Sequence, residues 1–232
     1  MNKSEVMALL KENHNERGIK NWKKLGHKNI RSFGIGLTQL RKLGKKIGRD
    51  QKLARQLWKS KVYDAKILGL LIDEPKKMTR EQAEEQVEDL DMGLLSHVFG
   101  SCDATLAKAP FARELAVDWV EDKDDMRRRC GYLLLYELSK NTRDKELTDV
   151  FFLGYIDRIR ESVQDEENWV RAAMSGALMG MGKRNLKLNK AAIKAVKAIG
   201  PIDVDYGSDN SCEPLDVLKH LTSDYLIQKL KA

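Results

Sequence analysis

Apolar residues recur at helical spacing along most of the chain, and capping residues mark the ends of the helices. The pattern predicts a first helix from Ser4 to near Gly18, a second over 19–28, and a loop at 29–37. The predicted helices that follow cover 38–47, 51–60, 62–72, 81–90 and 111–122. Runs of β-branched and aromatic residues with alternating polarity are scarce, so the sequence predicts an all-α protein.

Capping residues support these boundaries. Thr38 and Asp50 stand where N-caps are expected, and Gly48 follows the end of the helix that Thr38 begins. Thr79, with Gln82 three residues later, fits a capping box, in which each side chain bonds the backbone of the other residue.

Two segments of the chain repeat each other. Residues 125–140, DMRRRCGYLLLYELSK, align without a gap with residues 168–183, NWVRAAMSGALMGMGK, and 62–73 has a similar pattern. A helix-pair repeat of roughly 40–47 residues is typical of HEAT and armadillo proteins, whose pairs stack into a solenoid. We therefore predict a single HEAT-like, armadillo-like α-solenoid domain over 1–232, with one helix of each pair lining a concave face. The alternative is two amphipathic helices that match only through shared periodicity.

The C-terminal segment departs from the repeat. Residues 203–217, DVDYGSDNSCEPLDV, are acidic and rich in turn residues. We predict that 202–232 form a loop and a terminal capping helix from Pro214 to Leu230. Four aspartates lie in this segment: Asp203, Asp205, Asp209 and Asp216. Their spacing does not match an EF-hand, so no metal site is expected.

The protein is basic, with a formal net charge of +7 and a pI of about 9.2. Such a balance favours polyanionic partners, although it also serves solubility. Basic residues on successive inner helices would make the concave face a positive stripe that matches the backbone of duplex DNA. The candidates are Arg41, Lys42, Lys45, Lys46, Arg127, Arg128, Arg129, Arg171, Lys183 and Arg184.

The run Arg127–Arg129 begins a helix, where positive charge opposes the helix dipole. The run therefore has a function other than helix stability, or it neutralises the acidic residues just before it. Those residues are Asp122, Asp124 and Asp125.

The cysteines and the N-terminus exclude several classes of protein. Cys102, Cys130 and Cys212 are far apart, and no CxxC pair or histidine cluster suits zinc. The N-terminal segment MNKSEVMALLKEN is amphipathic and carries acidic residues, so it reads neither as a signal peptide nor as a membrane span. We expect a reduced, cytoplasmic, monomeric protein without cofactor, metal or membrane partner.

Family-level patterns run through most of the chain. They lie in 33–50 (FGIGLTQLRKLGKKIGRD), 54–72 (ARQLWKSKVYDAKILGLLI), 127–140 (RRRCGYLLLYELSK) and 167–185 (ENWVRAAMSGALMGMGKRN). These stretches resemble the DNA alkylation-repair proteins of the AlkD type, which are HEAT-like-repeat DNA glycosylases. The resemblance implies a horseshoe of helix pairs that holds DNA in a basic concave groove, and the excision of cationic alkylated purines.

The resemblance also implies a set of functional residues: an Asp four residues after a Trp, an Arg, and a second Trp. The Asp stabilises positive charge on the deoxyribose, the indoles pack at the lesion, and the Arg holds the phosphate. In LDMGLLSHVFG (90–100) the first Trp position falls on Gly93 and the Asp position on His97. The second Trp position falls on Gly176, while the Arg position is kept as Arg128.

We therefore expect a family member that binds duplex or branched DNA but has lost the usual glycosylase residues. Arg128 is the first candidate for a phosphate contact, and the others are Arg127, Arg171, Lys183 and Arg184. Two alternatives are an active glycosylase that uses His97 or Asp91, and a solenoid that binds another protein.

Other residues have a structural interpretation beside a functional one. Gly93 and Gly176 either open a cleft or let helix backbones approach each other. Cys130 lies among arginines that could activate a thiol, but its place in the apolar pattern predicts the core. The tryptophans are also expected to pack in the core: Trp22, Trp58, Trp119 and Trp169.

Overall fold

The computed structural model describes residues 1–26, 29–90, 94–102, 104–207 and 213–231. Within these ranges the chain is helical, with an isolated β-bridge between Arg31 and Val62, so the all-α prediction is confirmed. The chain divides into two compact units, Met1–Ala112 and Arg113–Ala232. The predicted single domain over 1–232 stays a prediction.

The N-terminal unit is built around one buried helix. Its helices are α1 (Lys3–Glu12), α2 (Glu16–Lys24), α3 (Leu37–Ile47), α4 (Gln51–Trp58), α5 (Tyr63–Ile72), α6 (Arg80–Val87) and α7 (Leu95–Gly100). Every residue of α5 is buried, and α1, α3, α4 and α7 pack against it. This explains why the sequence YDAKILGLLI is apolar nearly all round rather than on one face.

A buried carboxylate fixes the loop that precedes α3. Asp64 of α5 accepts hydrogen bonds from the backbone N–H of Phe33 at 2.6 Å and of Ile35 at 2.9 Å. It also accepts one from the Ser32 hydroxyl at 2.9 Å. The loop predicted at 29–37 therefore has a defined path across the N-terminal end of α5.

The C-terminal unit stacks helices in two layers. Its helices are α8 (Ala112–Val120), which begins at the boundary, α9 (Asp125–Leu138), α10 (Asp149–Ser162), α11 (Asn168–Gly182), α12 (Leu186–Ile199), α13 (Val217–Leu221) and α14 (Asp224–Lys231). In one layer α9 packs against α11 and α11 against α13, and in the other α10 packs against α12. The repeated segments predicted from the sequence are therefore the neighbouring helices α9 and α11.

Small residues allow the helices of this unit to approach closely. A Cβ at Gly131 would lie 2.8 Å from the Val120 side chain, and a Cβ at Gly180 would lie 2.5 Å from the Tyr136 ring. Both distances are too short for a real contact, so these positions require glycine.

Several predicted boundaries are confirmed. The Asp50 side chain accepts from the Leu53 N–H at 2.9 Å and begins α4, and Gly48 ends α3 with a φ of 82°. The Thr79 side chain caps α6, but Gln82 does not complete the capping box. Its amide instead donates to the buried Asp73 carboxylate at 2.6 Å.

Other boundaries differ from the predictions. Asn2, not Ser4, caps α1 through a capping box with Glu5. The first helix ends at Glu12 rather than near Gly18, because the Asn15 side chain accepts from the Gly18 N–H and starts α2. At the C-terminus the predicted helix from Pro214 to Leu230 is two helices, α13 and α14. Likewise Gly36, rather than Thr38, is the N-cap of α3.

Candidate nucleic-acid interface

The three arginines at the start of α9 have three different environments. The Arg127 guanidinium forms ion pairs with Asp122 at 3.8 Å and Asp124 at 3.9 Å. Its side chain is only 20% exposed. Neutralisation of the preceding acidic residues, one of the two explanations for the arginine run, therefore accounts for Arg127.

Arg128 donates hydrogen bonds with every nitrogen of its guanidinium. Nε and Nη2 donate to Glu166 at 3.1 and 2.9 Å, and Nη2 also pairs with Asp125. Nη1 donates to the carbonyls of Asp122 at 3.0 Å and Lys123 at 2.8 Å. Burial acts to lower the pKa of Arg128, but Glu166 and Asp125 outweigh it and raise that pKa. Arg128 thus joins the start of α9 to the segment before α11, and its predicted phosphate contact stays a prediction.

Arg184 has a structural role similar to that of Arg128, at the opposite end of the α9–α11 pair. Nη1 donates to the carbonyls of Ser139 and Asn141, each at 2.8 Å, and Nη2 to that of Leu147 at 2.9 Å. The guanidinium also lies 5.0 Å from the centroid of the Phe152 ring. Since the carbonyls of Ser139 and Asn141 follow α9, Arg184 fixes the C-terminal end of that helix.

Arg129 is different from its two neighbours. Its guanidinium lies 5.0 Å from the centroid of the Trp169 ring. In the part of the chain that the structure describes, it has no hydrogen bond or ion pair. Burial lowers the pKa of Arg129, and the nearby Glu167 charge only partly offsets this. Arg129 therefore forms no salt bridge among the described residues, and only the more distant Glu167 carboxylate acts on its charge.

Arg129 belongs to a partly exposed surface of α9 and α11. The surface, here called the α9–α11 face, consists of Arg129, Tyr136, Lys140, Trp169, Ala172, Gly176, Met179 and Lys183. On α11 these positions follow the spacing of one helix face, and the residues between them are mostly buried. Contacts between Arg129 and Trp169, and the close approach of Tyr136 to Gly180, bring the two helices together there.

The far end of the α9–α11 face is also basic. The Lys140 ammonium lies 4.0 Å from the centroid of the Tyr136 ring and pairs with Glu137 at 2.8 Å. Lys183 is exposed, and within the described ranges it has no ion pair. Partial desolvation of its ammonium group and then the charge of Lys140 lower the pKa of Lys183. An anion placed here would relieve the repulsion between the two lysines.

Arg171 lies off this face. It stands five residues before Gly176, which on an α-helix is about 140° away from the direction of that glycine. Its Nε is buried without a hydrogen-bond partner in the described part of the chain. Arg171 occupies the position in α11 that Arg128 occupies in α9.

The positions that correspond to the family's functional residues are only partly described. Gly93 and the alternative candidate Asp91 lie outside the described residues. A Cβ at Gly176 would meet nothing within 4 Å, so close helix packing does not explain this glycine. His97 lies in α7, with Nε2 3.0 Å from the Cys102 sulfur, and a catalytic role for it stays a prediction.

Three of the four tryptophans and Cys130 are in the core, as predicted. Trp22, Trp58 and Trp119 are 9%, 7% and 1% exposed. Cys130 is fully buried, and burial raises the pKa of its thiol to about 12. The prediction is wrong for Trp169, which is 38% exposed, because its position in the first turn of α11 places the indole on the α9–α11 face.

A second basic region lies in the N-terminal unit. A cleft of about 350 Å³ is lined by Arg41, Lys45, Arg49 and Lys108, together with Gly44, Gly48 and Leu71. Arg49 donates to the carbonyl of Leu71 at 2.6 Å, so it also holds the end of α5. The predicted stripe along one concave face depends on how both units are arranged and stays a prediction.

Among the described residues, no group of three histidine, cysteine, aspartate or glutamate side chains could hold a metal ion. No helix within the described ranges is long and apolar enough to cross a membrane.

Two curated relatives and one solved structure are similar to this chain. The uncharacterized protein Lin0241 of Listeria innocua is 29% identical over 198 residues, which cover 82% of this chain and 81% of the relative. The uncharacterized protein Lmo0209 of Listeria monocytogenes is 27% identical with the same coverage.

The similar structure is that of a protein described as one of "a new family of proteins related to the HEAT-like repeat DNA glycosylases with affinity for branched DNA structures". It matches 99% of this chain and 96% of its own, with a TM-score of 0.84 and 21% identity. This likeness confirms the predicted HEAT-like repeat fold.

A family model agrees with the resemblance found in the sequence. The model is described as DNA alkylation repair enzyme, and it matches residues 6–208. The chain therefore belongs to the DNA alkylation repair enzyme family.

Proposed function

We propose that this protein binds DNA through the α9–α11 face and does not excise alkylated bases. The observation that carries the proposal is the electrostatic environment of Arg129 and Lys183. Both cations lie on this face without a salt bridge to a carboxylate among the described residues, and burial lowers the pKa of each. A DNA phosphate would supply the missing negative charge to both.

The family and the structural neighbour support a nucleic-acid ligand. The neighbour is described as having affinity for branched DNA. The net charge of +7 would further promote association with a polyanion. Duplex DNA and branched DNA both present the phosphates that this face would contact.

The residues at the family's catalytic positions argue against base excision. Loss of a cationic base leaves positive charge on the deoxyribose, which a carboxylate would stabilise. His97 cannot supply that negative charge, and as an imidazolium it would oppose it. Gly176 has no ring to pack against the sugar, and the space around it is open.

The geometry also changes which basic residues are expected to touch phosphate. Arg127, Arg128 and Arg184 give their donors to acidic side chains or carbonyls of the protein. These three arginines hold α9 and α11 in place, and a phosphate could bind them only if their bonds to the protein broke. Lys183 stays a candidate contact, and Arg129 joins it.

The test measures base release and binding on the same DNA. Purified protein is incubated with a duplex containing 7-methylguanine under single-turnover conditions, and free base and bound DNA are both quantified. We expect binding without release above the spontaneous rate. Release well above that rate would contradict the loss of glycosylase activity.

Variants locate the DNA on the protein. Arg129→Ala and Lys183→Ala should each weaken binding about tenfold and reduce the slope of log affinity against log salt by about one. Lys194→Ala, which removes one exposed charge from α12, is the matched control and should change affinity less than about twofold. Equal effects of all three variants would mean that charge alone, rather than this face, governs binding.

A further inference from the structure

Trp169 differs in exposure from Trp119, the other tryptophan of the C-terminal unit. It is 38% exposed, whereas Trp119 in the same unit is 1% exposed. An exposed indole loses the apolar burial that normally holds tryptophan in a core. Packing therefore does not explain why Trp169 faces solvent in the first turn of α11.

The exposed indole is held in a fixed aromatic and cationic group. The Arg129 guanidinium lies 5.0 Å from its centroid, and the Tyr206 ring meets it edge-on at 5.7 Å and 73°. Asn168 fixes the Tyr206 segment, because its side chain donates to the Asp205 carbonyl at 2.8 Å and accepts from the Asp205 N–H at 2.7 Å. The group is thus arranged before any ligand arrives, which reduces the entropy cost of binding.

The surface beside this group has room for a flat ligand. Ala172 and Gly176 follow Trp169 on the same face of α11, and a Cβ at Gly176 would meet nothing within 4 Å. A second ring, Tyr136, lies further along under Lys140. From Trp169 to Lys183 the helix extends about 21 Å, about six steps of a DNA strand in a duplex.

This chemistry recognises bases that are not stacked in a duplex. An indole and a guanidinium both stack on the ring face of a nucleobase, and neighbouring cations hold the phosphates on either side. Bases inside a duplex have both faces covered, so they cannot use such a platform. Phosphate contacts alone would need only Lys140 and Lys183 and no exposed ring.

We infer that Trp169, Arg129 and Tyr206 form a platform on which an unpaired DNA base stacks, so that the preferred ligand is DNA with unpaired nucleotides. The inference rests on the proposed function, since the same face supplies the phosphate contacts. Bulges, flaps and junction branch points all present such bases.

The experiment compares two DNA ligands that differ only in unpaired bases. Fluorescence anisotropy measures the Kd of the protein for a labelled duplex and for the same duplex carrying a three-nucleotide bulge. We expect about tenfold tighter binding of the bulged DNA, in line with the stacking of one base. A 2-aminopurine in the bulge should lose fluorescence on binding, since stacking quenches it.

Three variants test the platform itself. Trp169→Ala should weaken binding of bulged DNA about tenfold and of plain duplex less than about threefold, and it should abolish the 2-aminopurine quenching. Trp169→Phe keeps a ring and should retain part of the preference. Tyr225→Ala, which removes an exposed ring from α14, is the matched control and should behave as wild type.

The outcomes separate this inference from the proposed function. Salt-dependent binding with equal affinity for duplex and bulged DNA would overturn the inference and leave the proposed function intact. An equal loss of affinity for both DNA ligands in Trp169→Ala would also overturn the inference. Absence of binding to either DNA by the wild-type protein would overturn both.

Discussion

The arginines on the packed side of α9 and α11 donate their hydrogen bonds to the protein itself. On the solvent-facing side, Arg129 and Lys183 form no salt bridge with an acidic side chain among the described residues. Arg128 and Arg184 between them reach two acidic side chains and several carbonyls. Arg129 follows Arg128 directly, yet it contacts an indole instead of a carboxylate. One step along a helix turns a side chain by about 100°, and that turn separates the two roles.

The basic residues of the packed side serve the structure of the protein, since their donors are already used by its own acceptors. An arginine surrounded by protein acceptors would have to give up those hydrogen bonds to reach a phosphate. A cation whose pKa is lowered by burial is stabilised when an anion approaches. Measurements of stability should therefore distinguish the two groups of residues, as we expect measurements of DNA binding to do.

The largest expected effect is on the packed side. Arg128→Ala leaves the half-buried Glu166 without its main partner, so the free energy of unfolding should fall by about 2–4 kcal/mol. Arg129→Ala loses mainly a contact with Trp169 and should cost less than about 1 kcal/mol. Urea unfolding followed by circular dichroism checks both variants, and similar losses in the two would contradict the division between the two sides.

A smaller effect should appear only at alkaline pH. Burial raises the pKa of Cys130 from 9.0 to about 12, so the thiol ionises in the unfolded chain before it ionises in the folded one. The contribution of this thiol to the free energy of unfolding is fully present below pH 9 and is lost as the pH rises towards 12. From pH 8 to 10.5 the free energy of unfolding should fall by about 2 kcal/mol on its account.

Replacing the thiol tests the cause of this pH dependence. Cys130→Ala should remove that part of the fall, whereas Cys102→Ala should keep it because the buried thiol is still present. Urea unfolding at the two pH values measures the difference. The remaining fall should come from Tyr63 and Tyr132, whose pKa burial also raises to about 12. An unchanged pH dependence in Cys130→Ala would show that the thiol is not responsible.

The smallest effect is expected at Gly176, and it sharpens the contrast between the open and the closely packed glycines of α11. Gly176→Ala adds a methyl group in open space and should stabilise the helix by about 0.5–1 kcal/mol. Gly180→Ala would press on the Tyr136 ring and the Ser139 hydroxyl and should destabilise by about 1–3 kcal/mol. Opposite shifts of the urea midpoint are expected, and a loss of stability in Gly176→Ala would mean that its surroundings are not open.

Local signals in the sequence were enough to predict much of the fold. Asp50 and Gly48 act through neighbours in the chain, so their capping roles were readable. The repeat at 125–140 and 168–183 predicted that two equivalent helices would be neighbours, as α9 and α11 are. The break between α1 and α2 was missed because Asn15 competes for backbone hydrogen bonds inside an otherwise helical pattern.

The candidate site was harder to predict, because side-chain direction and distant partners decide it. The acceptor of Arg128, Glu166, lies 38 residues away, and nothing local to the arginine run indicates it. Trp169 sits at an apolar position by pattern, yet the exposed face of α11 passes through that position. The helical spacing of Trp169 and Lys183 from the small residues Ala172 and Gly176 is the signal that could have placed all four on one face of α11.

Arg128 and Arg184 also have a consequence for how the C-terminal unit unfolds. Helix ends usually fray first, yet both ends of α9 are held by an arginine. Arg128 bonds the start of α9 to the segment before α11, and Arg184, which follows α11, bonds the carbonyls at the end of α9. In a repeat array such links act as coupling between nearest neighbours, and strong coupling makes adjacent repeats open together. The α9–α11 pair should therefore exchange its amide hydrogens as one cooperative block, with protection that extends to both ends of α9.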